Sequence, residues 1–183
     1  MITRRIVTLV VFAATVACGS SFIQAQQPQI PTLQDCNSTE VRGEGRVTVD
    51  RRSDVNHAGT FTVKVSVKCG PDDSPYPEGT FDMLEIDMSD SILGGRLTAT
   101  TIEQVTTTGK HTPMAFLNGR CQASGIKGCR FWMMIADNRL STSATTGTPD
   151  IVSFLIFDAT GKRVAHGTGP VVSGAFIVRG TGN

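Results

Sequence analysis

The run from residue 60 to residue 69 constrains this chain more than any other. Phe61, Val63, Val65, Val67 and Cys69 alternate there with Thr60, Thr62, Lys64, Ser66 and Lys68. A strict period of two sends the apolar set to one face of a strand and the polar set to the other, whereas a helical face repeats every 3.6 residues. The chain must therefore supply a second apolar layer to cover this face, and the natural supplier is more sheet. Cys69 falls in the apolar set, which predicts a buried disulfide.

The same alternation recurs at 41–50, with Val41, Gly43, Gly45, Val47 and Val49 opposed to Arg42, Glu44, Arg46, Thr48 and Asp50. Two glycines on the inner face predict a bend or the close approach of another backbone. At 79–88 the phase changes midway. Phe81 and Met83 share one phase and Leu84, Ile86 and Met88 the other, as a β-bulge would produce.

Further strands are expected at 96–105, 112–121, 129–137, 150–158, 163–166 and 171–178, separated by Gly-, Asn-, Asp- or Thr-rich turns. No segment carries a sustained apolar stripe of helical period. Eight or nine short strands predict an all-β domain, a single antiparallel β-sandwich or β-barrel. Residues 131–136 and 151–157 are apolar on both faces, so they should be central strands, or strands that line a barrel and are packed outside too.

The N-terminus predicts export. Arg4 and Arg5 precede an uncharged apolar run, residues 6–17, of secretory-signal length and too short to span a bilayer. Cleavage after Ala25 is the preferred route; Thr15-Val-Ala-Cys18 outlines an alternative, bacterial lipoprotein processing with a lipid anchor on Cys18. The expected organisation is a signal peptide at 1–25, a flexible linker at 26–40 that opens Gln- and Pro-rich, and one β domain at 41–183. The location is then secreted or periplasmic, or membrane-anchored through Cys18, with no transmembrane helix.

Loss of 1–25 removes Arg4 and Arg5 and leaves 158 residues, with 15 basic against 16 acidic side chains. Such a length can bury one substantial core without a metal. A near-neutral balance argues against nucleic acid or an anionic membrane surface as partner, because both select a basic excess.

Four cysteines remain, Cys36, Cys69, Cys121 and Cys129, an even number suited to an oxidising compartment. Of the three pairings, Cys36 with Cys69 and Cys121 with Cys129 is favoured, since the second pair flanks a short Gly-containing turn and can meet across a hairpin. No C-x-x-C pair is present to suggest zinc.

The order of motifs along the chain is Arg42-Gly-Glu-Gly45, Gly59-Thr-Phe61, Gly94-Gly-Arg-Leu97, Phe116-Leu-Asn-Gly119, Cys121-x-x-x-Gly125, 131–137, Asp150-x-x-x-Phe154 and Ser173-Gly-Ala-Phe-Ile-Val178. Over residues 41–178 it resembles the post-COAP domain, a small β-rich domain of secreted bacterial proteins. The resemblance implies a β-rich fold and an exported setting, and no reaction. The sequence departs from the family where a closing glycine is replaced by Ser173, and where the turn 138–149 is Ser/Thr-rich instead of Gly-rich.

No catalytic, cofactor or metal constellation emerges. His57, His111 and His166 are scattered, and three solvated histidines are expected. Ser124-Gly-Ile-Lys127 has the S-x-x-K outline of serine acyl-enzymes but sits in a Gly-rich turn, without S-D-N or K-T-G. Gly109-Lys-His lacks the rest of a Walker loop. Asp82, Glu85, Asp87 and Asp90 cluster in one strand and its turn, where they could serve a glycosidase or calcium, though alternating acids on a strand ordinarily form its wet face. Asp137 and Asp150 bracket a long turn and could share a cation. Asn37-Ser-Thr39 would be glycosylated only in a eukaryotic host. The expected function is a non-catalytic exported module, structural or binding an extracellular or cell-surface ligand; the alternative is a small secreted hydrolase using Asp82, Glu85, Asp87 and Asp90. A lipocalin-like apolar cavity is a third reading, although Met- and Phe-rich strands are more simply a core.

Overall fold

In the computed structural model the described residues are 39–50, 58–69, 76–87, 94–109, 112–138 and 147–180, all within one compact unit, Leu33–Asn183. The signal segment, linker residues 26–38, Cys18, Cys36, His57, Asp90 and His111 lie outside them, while residue 40 of the expected linker already opens the first strand. Eight strands follow in order: β1 (Glu40–Val49), β2 (Gly59–Lys68), β3 (Glu78–Asp87), β4 (Arg96–Thr108), β5 (Met114–Ala123), β6 (Ile126–Ala136), β7 (Ile151–Asp158) and β8 (Arg163–Arg179). Each pairs antiparallel with its sequence neighbours, and β8 returns to β1, closing a barrel. The fold is thus the barrel member of the expected pair of architectures. Closure removes the exposed edges that an open sheet of this size would leave.

Alternation carries through to packing. Val41, Val47 and Val49 of β1 and Phe61, Val63, Val65 and Val67 of β2 point inward and are buried. An eight-stranded barrel leaves an interior that side chains can fill. Here Phe61, Phe81, Phe131, Phe154, Phe176 and Met83 fill it, all buried, with Phe61 edge-on to Phe154 at 5.3 Å and Phe81 tilted on Phe131 at 4.7 Å between ring centroids. The interior apolar side chains are core, so the space a lipocalin would give to a ligand is occupied. Outside, β1 and β2 carry Arg42, Glu44, Arg46, Lys64 and Lys68, the reverse of the apolar exterior of an outer-membrane barrel. No helix among the described residues is long and apolar enough to cross a membrane.

The inner-face glycines of β1 do make room for another element. A Cβ on Gly45 would lie 2.8 Å from Val171 Cγ1 and 3.0 Å from Phe176 Cε2, and one on Gly43 would strike the β8 backbone at Ala175 and Phe176. The Phe176 ring therefore occupies the space that two absent side chains leave. The bulge expected in β3 is also present. It lies later than the phase change at Met83 and Leu84: Thr60 pairs with Asp87 and Phe61 with Glu85, so Ile86 is unopposed, while Leu84, ahead of the bulge, follows the buried Met83 in ordinary alternation and is 46% exposed.

Two expected strands, 163–166 and 171–178, are one. Gly167-Thr-Gly-Pro170 has the composition of a turn, yet it runs as continuous β8. Gly167 and Gly169 are buried on the inner side, where a Cβ would meet Phe154 and the Thr48 carbonyl respectively. Pro170 pairs with Ile151 at the end of the β7 ladder, beyond which Val171 donates its N–H to the Asp150 carbonyl. A second bulge sets Val172 apart between the pairs Arg46–Ser173 and Val47–Val171, leaving it 56% exposed.

The Cys121–Cys129 disulfide forms as expected. The two residues are direct cross-strand partners of the β5–β6 hairpin, with Cα atoms 4.8 Å apart, and both face the core. Cys69 is also disulfide-bonded; Cys36, the partner expected for it, lies outside the described residues.

Candidate functional site

The acidic residues singled out in the sequence hold the barrel together at its thinnest seam. β3 and β4 share three ladder pairs, Asp82–Thr98, Met83–Leu97 and Leu84–Arg96. Asp82 Oδ1 accepts hydrogen bonds from Thr98 Oγ1 at 2.7 Å, Arg96 Nη2 at 3.0 Å and Arg96 Nε at 3.3 Å, all across that seam. Glu85 Oε2 accepts the Gly95 N–H at 2.9 Å, while the Glu85 N–H donates to the Gly95 carbonyl at 2.8 Å. Both carboxylates are thereby engaged in closing the β3–β4 turn. The Asp87 side chain lies outside what is described.

Asp137 and Asp150 are buried, and they too act on backbone. β8 runs past the start of β7, so the N–H groups of Phe176 and Val178 that point away from β1 meet no β7 residue. Asp150 Oδ2 accepts the Phe176 N–H at 3.0 Å and its Oδ1 the Asn138 N–H at 3.0 Å, while Asp137 Oδ2 accepts the Val178 N–H at 3.1 Å. The two carboxylates stand where a longer β7 would have supplied carbonyls, which satisfies donors that burial would otherwise penalise. Each of the two aspartates thus has a structural task, and among the described residues no group of three or more His, Cys, Asp or Glu could hold a metal ion.

The remaining candidates separate as well. Ser124 and Lys127 are exposed at the β5–β6 hairpin turn, not on a helix. His166 lies half-buried within β8, opposite Leu155, where a solvated histidine was expected.

What the sequence did not single out is the outer face of β4–β7. The expectation that β6 and β7 would be packed outside as well as inside is not met by described residues. Trp132 is 57% and Phe116 43% exposed, with Met134, Leu155 and Phe157 half-buried beside them. The register sets these side chains in rows. Gln104, Asn118, Trp132, Leu155 and His166 are successive cross-strand neighbours, and Thr106, Phe116, Met134, Ser153 and Thr168 form the next row. Between the rows lies a shallow groove of about 420 Å³.

Polar groups border the apolar floor. Asn118 Nδ2 donates to Gln104 Oε1 at 2.9 Å, and the Ser153 and Thr168 hydroxyls share a hydrogen bond of 2.8 Å. Trp132 stands edge-on to Phe157 with centroids 6.4 Å apart, which orients the indole. Next to Trp132 and Phe157, Arg120 and Arg130 both reach Glu103 Oε1, at 2.9 and 3.6 Å. The signal that could have found this face was the doubly apolar pattern of β6 and β7, once the inner phase had been fixed by Phe131, Met133 and Ile135.

Fold and site together define a class: a disulfide-bonded, antiparallel eight-stranded barrel with a packed interior and an aromatic groove on its outer surface. No family model, no curated protein and no solved structure matches the chain.

Proposed function

We propose that this protein is an exported, non-catalytic binding module that holds its ligand in the outer groove of β4–β7. The observation that carries the reading is the exposure of Trp132 and Phe116 beside Met134, Leu155 and Phe157, side by side on adjacent strands, where the outer faces of β1 and β2 are charged or hydroxyl-bearing and the exposed Leu84 and Val172 stand on other strands, β3 and β8. A contiguous apolar patch with a polar border on a folded surface marks a binding site more often than chance. Export is supported by the N-terminal signal pattern and by a disulfide compatible with an oxidising compartment, and it accords with the post-COAP resemblance. Release after Ala25 is the preferred maturation, with lipidation of Cys18 the other route.

The hydrolase alternative draws no support from the acids that are described, since Asp82 and Glu85 are tied into the β3–β4 seam. The test is a nitrogen-15 NMR screen of a fragment library against the protein. Shifts centred on the Trp132 indole N–H and the amides of β5–β7 are expected; shifts centred on the β3–β4 turn would reject the groove. Mass spectrometry of the mature N-terminus decides between the two maturation routes.

A further inference from the structure

Resting on that reading of the groove, we propose that its ligand is an uncharged oligosaccharide chain, stacked on Trp132 and hydrogen-bonded by the amides and hydroxyls of the neighbouring strands. Three observations select this chemistry.

The first is charge. None of the described residues lining the groove is ionised: the polar ones are Gln104, Thr106, Asn118 and Ser153. The cations in the row of Phe157, Arg120, Arg130 and Arg163, lie outside that lining, with Glu103 Oε1 at 2.9 and 3.6 Å from the first two, so an anionic ligand seated in the groove would meet no positive charge in its floor. A cationic ligand would find no carboxylate in the lining.

The second is the pairing of an aromatic face with amides. A sugar ring presents a flank of C–H groups that packs on an indole, and a rim of hydroxyls that both donate and accept. The hydrogen bond between Asn118 and Gln104 uses one donor and one acceptor. The other groups of the two amides remain to face a rim of hydroxyls in the same row as Trp132. Ser153 and Thr168 repeat the arrangement one row on, beside Met134. An alkyl chain would leave these groups facing hydrocarbon, at a cost in desolvation.

The third is the closed sheet. β5, β6 and β7 are each hydrogen-bonded on both sides. A peptide laid in the groove could therefore not add as a strand, which is the usual source of affinity when a sheet receives one. Recognition has to run through side chains, and a sugar chain is recognised that way.

The chain has a single tryptophan, so its emission reports on Trp132 alone. The full chain is titrated with uncharged hexasaccharides of β-1,4-glucose, β-1,4-mannose, β-1,4-xylose and α-1,4-glucose, and in parallel with hexagalacturonate and dodecanoate. At least one neutral hexasaccharide should change the emission saturably, with hexagalacturonate inert. By calorimetry, Trp132→Ala should weaken that binding about tenfold, and Asn118→Ala and Gln104→Ala about fivefold each; circular dichroism checks that each variant is folded. If hexagalacturonate or dodecanoate binds in a Trp132-dependent way while every neutral sugar fails, the ligand class is overturned and the groove survives. If no probe perturbs Trp132, or if sugar binding is indifferent to Trp132→Ala, both fall.

Discussion

At the scale of single residues, side chains that looked chemical turn out to satisfy backbone. Asp150 is fully buried and takes two backbone N–H groups, so Asp150→Ala should leave the Asn138 and Phe176 amides without acceptors. A loss of about 3 kcal/mol in urea unfolding is expected. Asp158 does similar work in the open, its Oδ1 accepting from Thr160 Oγ1 at 2.6 Å, Thr160 N at 2.8 Å and Lys162 N at 3.0 Å in the β7–β8 turn. These bonds, the Thr160 hydroxyl foremost, favour the ionised form and hold the carboxyl below its ordinary 3.8. A depressed carboxylate adds stability at pH above its unfolded value, and the contribution is lost as pH falls through the folded one. A carbon-13 titration should place the Asp158 midpoint under 3.8, and Asp158→Ala should move it out of the turn's pH response. Gly45 was legible in the sequence as a place of close approach, but not what approaches. Gly45→Val would drive a branched side chain into Val171 and Phe176, and a loss of about 3 kcal/mol is expected by thermal or chemical unfolding.

At the scale of elements, the seam between β3 and β4 is the point at which the barrel is most easily opened. Three ladder pairs hold it, against eight for β6–β7, and the Asp82 carboxylate bridges to both Arg96 and Thr98. Asp82→Ala should therefore lower stability by about 1 kcal/mol. The lowered protection from hydrogen exchange should be concentrated in β3 and the first turns of β4, with β5–β7 unmoved. The β5–β6 hairpin is closed by the Cys121–Cys129 bond over a sequence separation of 8. Replacing both cysteines by serine should cost about 2.5 kcal/mol through the entropy of a loop that short, seen as a shift in urea midpoint; reducing agent should lower the parent chain's midpoint further, since it also breaks the disulfide at Cys69. Strand limits were largely legible because alternation is a local property. The fusion of 163–166 and 171–178 into β8 was not, since Gly167, Gly169 and Pro170 carry turn chemistry. Only the crowding of Phe154 and the Thr48 carbonyl shows why glycine is needed in a straight strand there.

At the scale of the whole molecule, the inside and the outside of the barrel have exchanged the roles a ligand carrier would give them. Five phenylalanines and Met83 close the interior, and the aromatic surface left over stands outside on β5–β7. The sequence by itself determined that the chain is all-β, that its inner faces are apolar, that a bulge interrupts β3 and that Cys121 meets Cys129, because each depends on neighbours within one or two strands. Only the tertiary structure decided between sandwich and barrel, since closure rests on β8 returning to β1, a pairing of residues more than 120 positions apart. It alone decided the candidate site too. Trp132, Phe116 and Leu155 sit on three different strands and become neighbours through register, and no pattern along a single strand distinguishes an apolar side chain that will be covered from one left facing water.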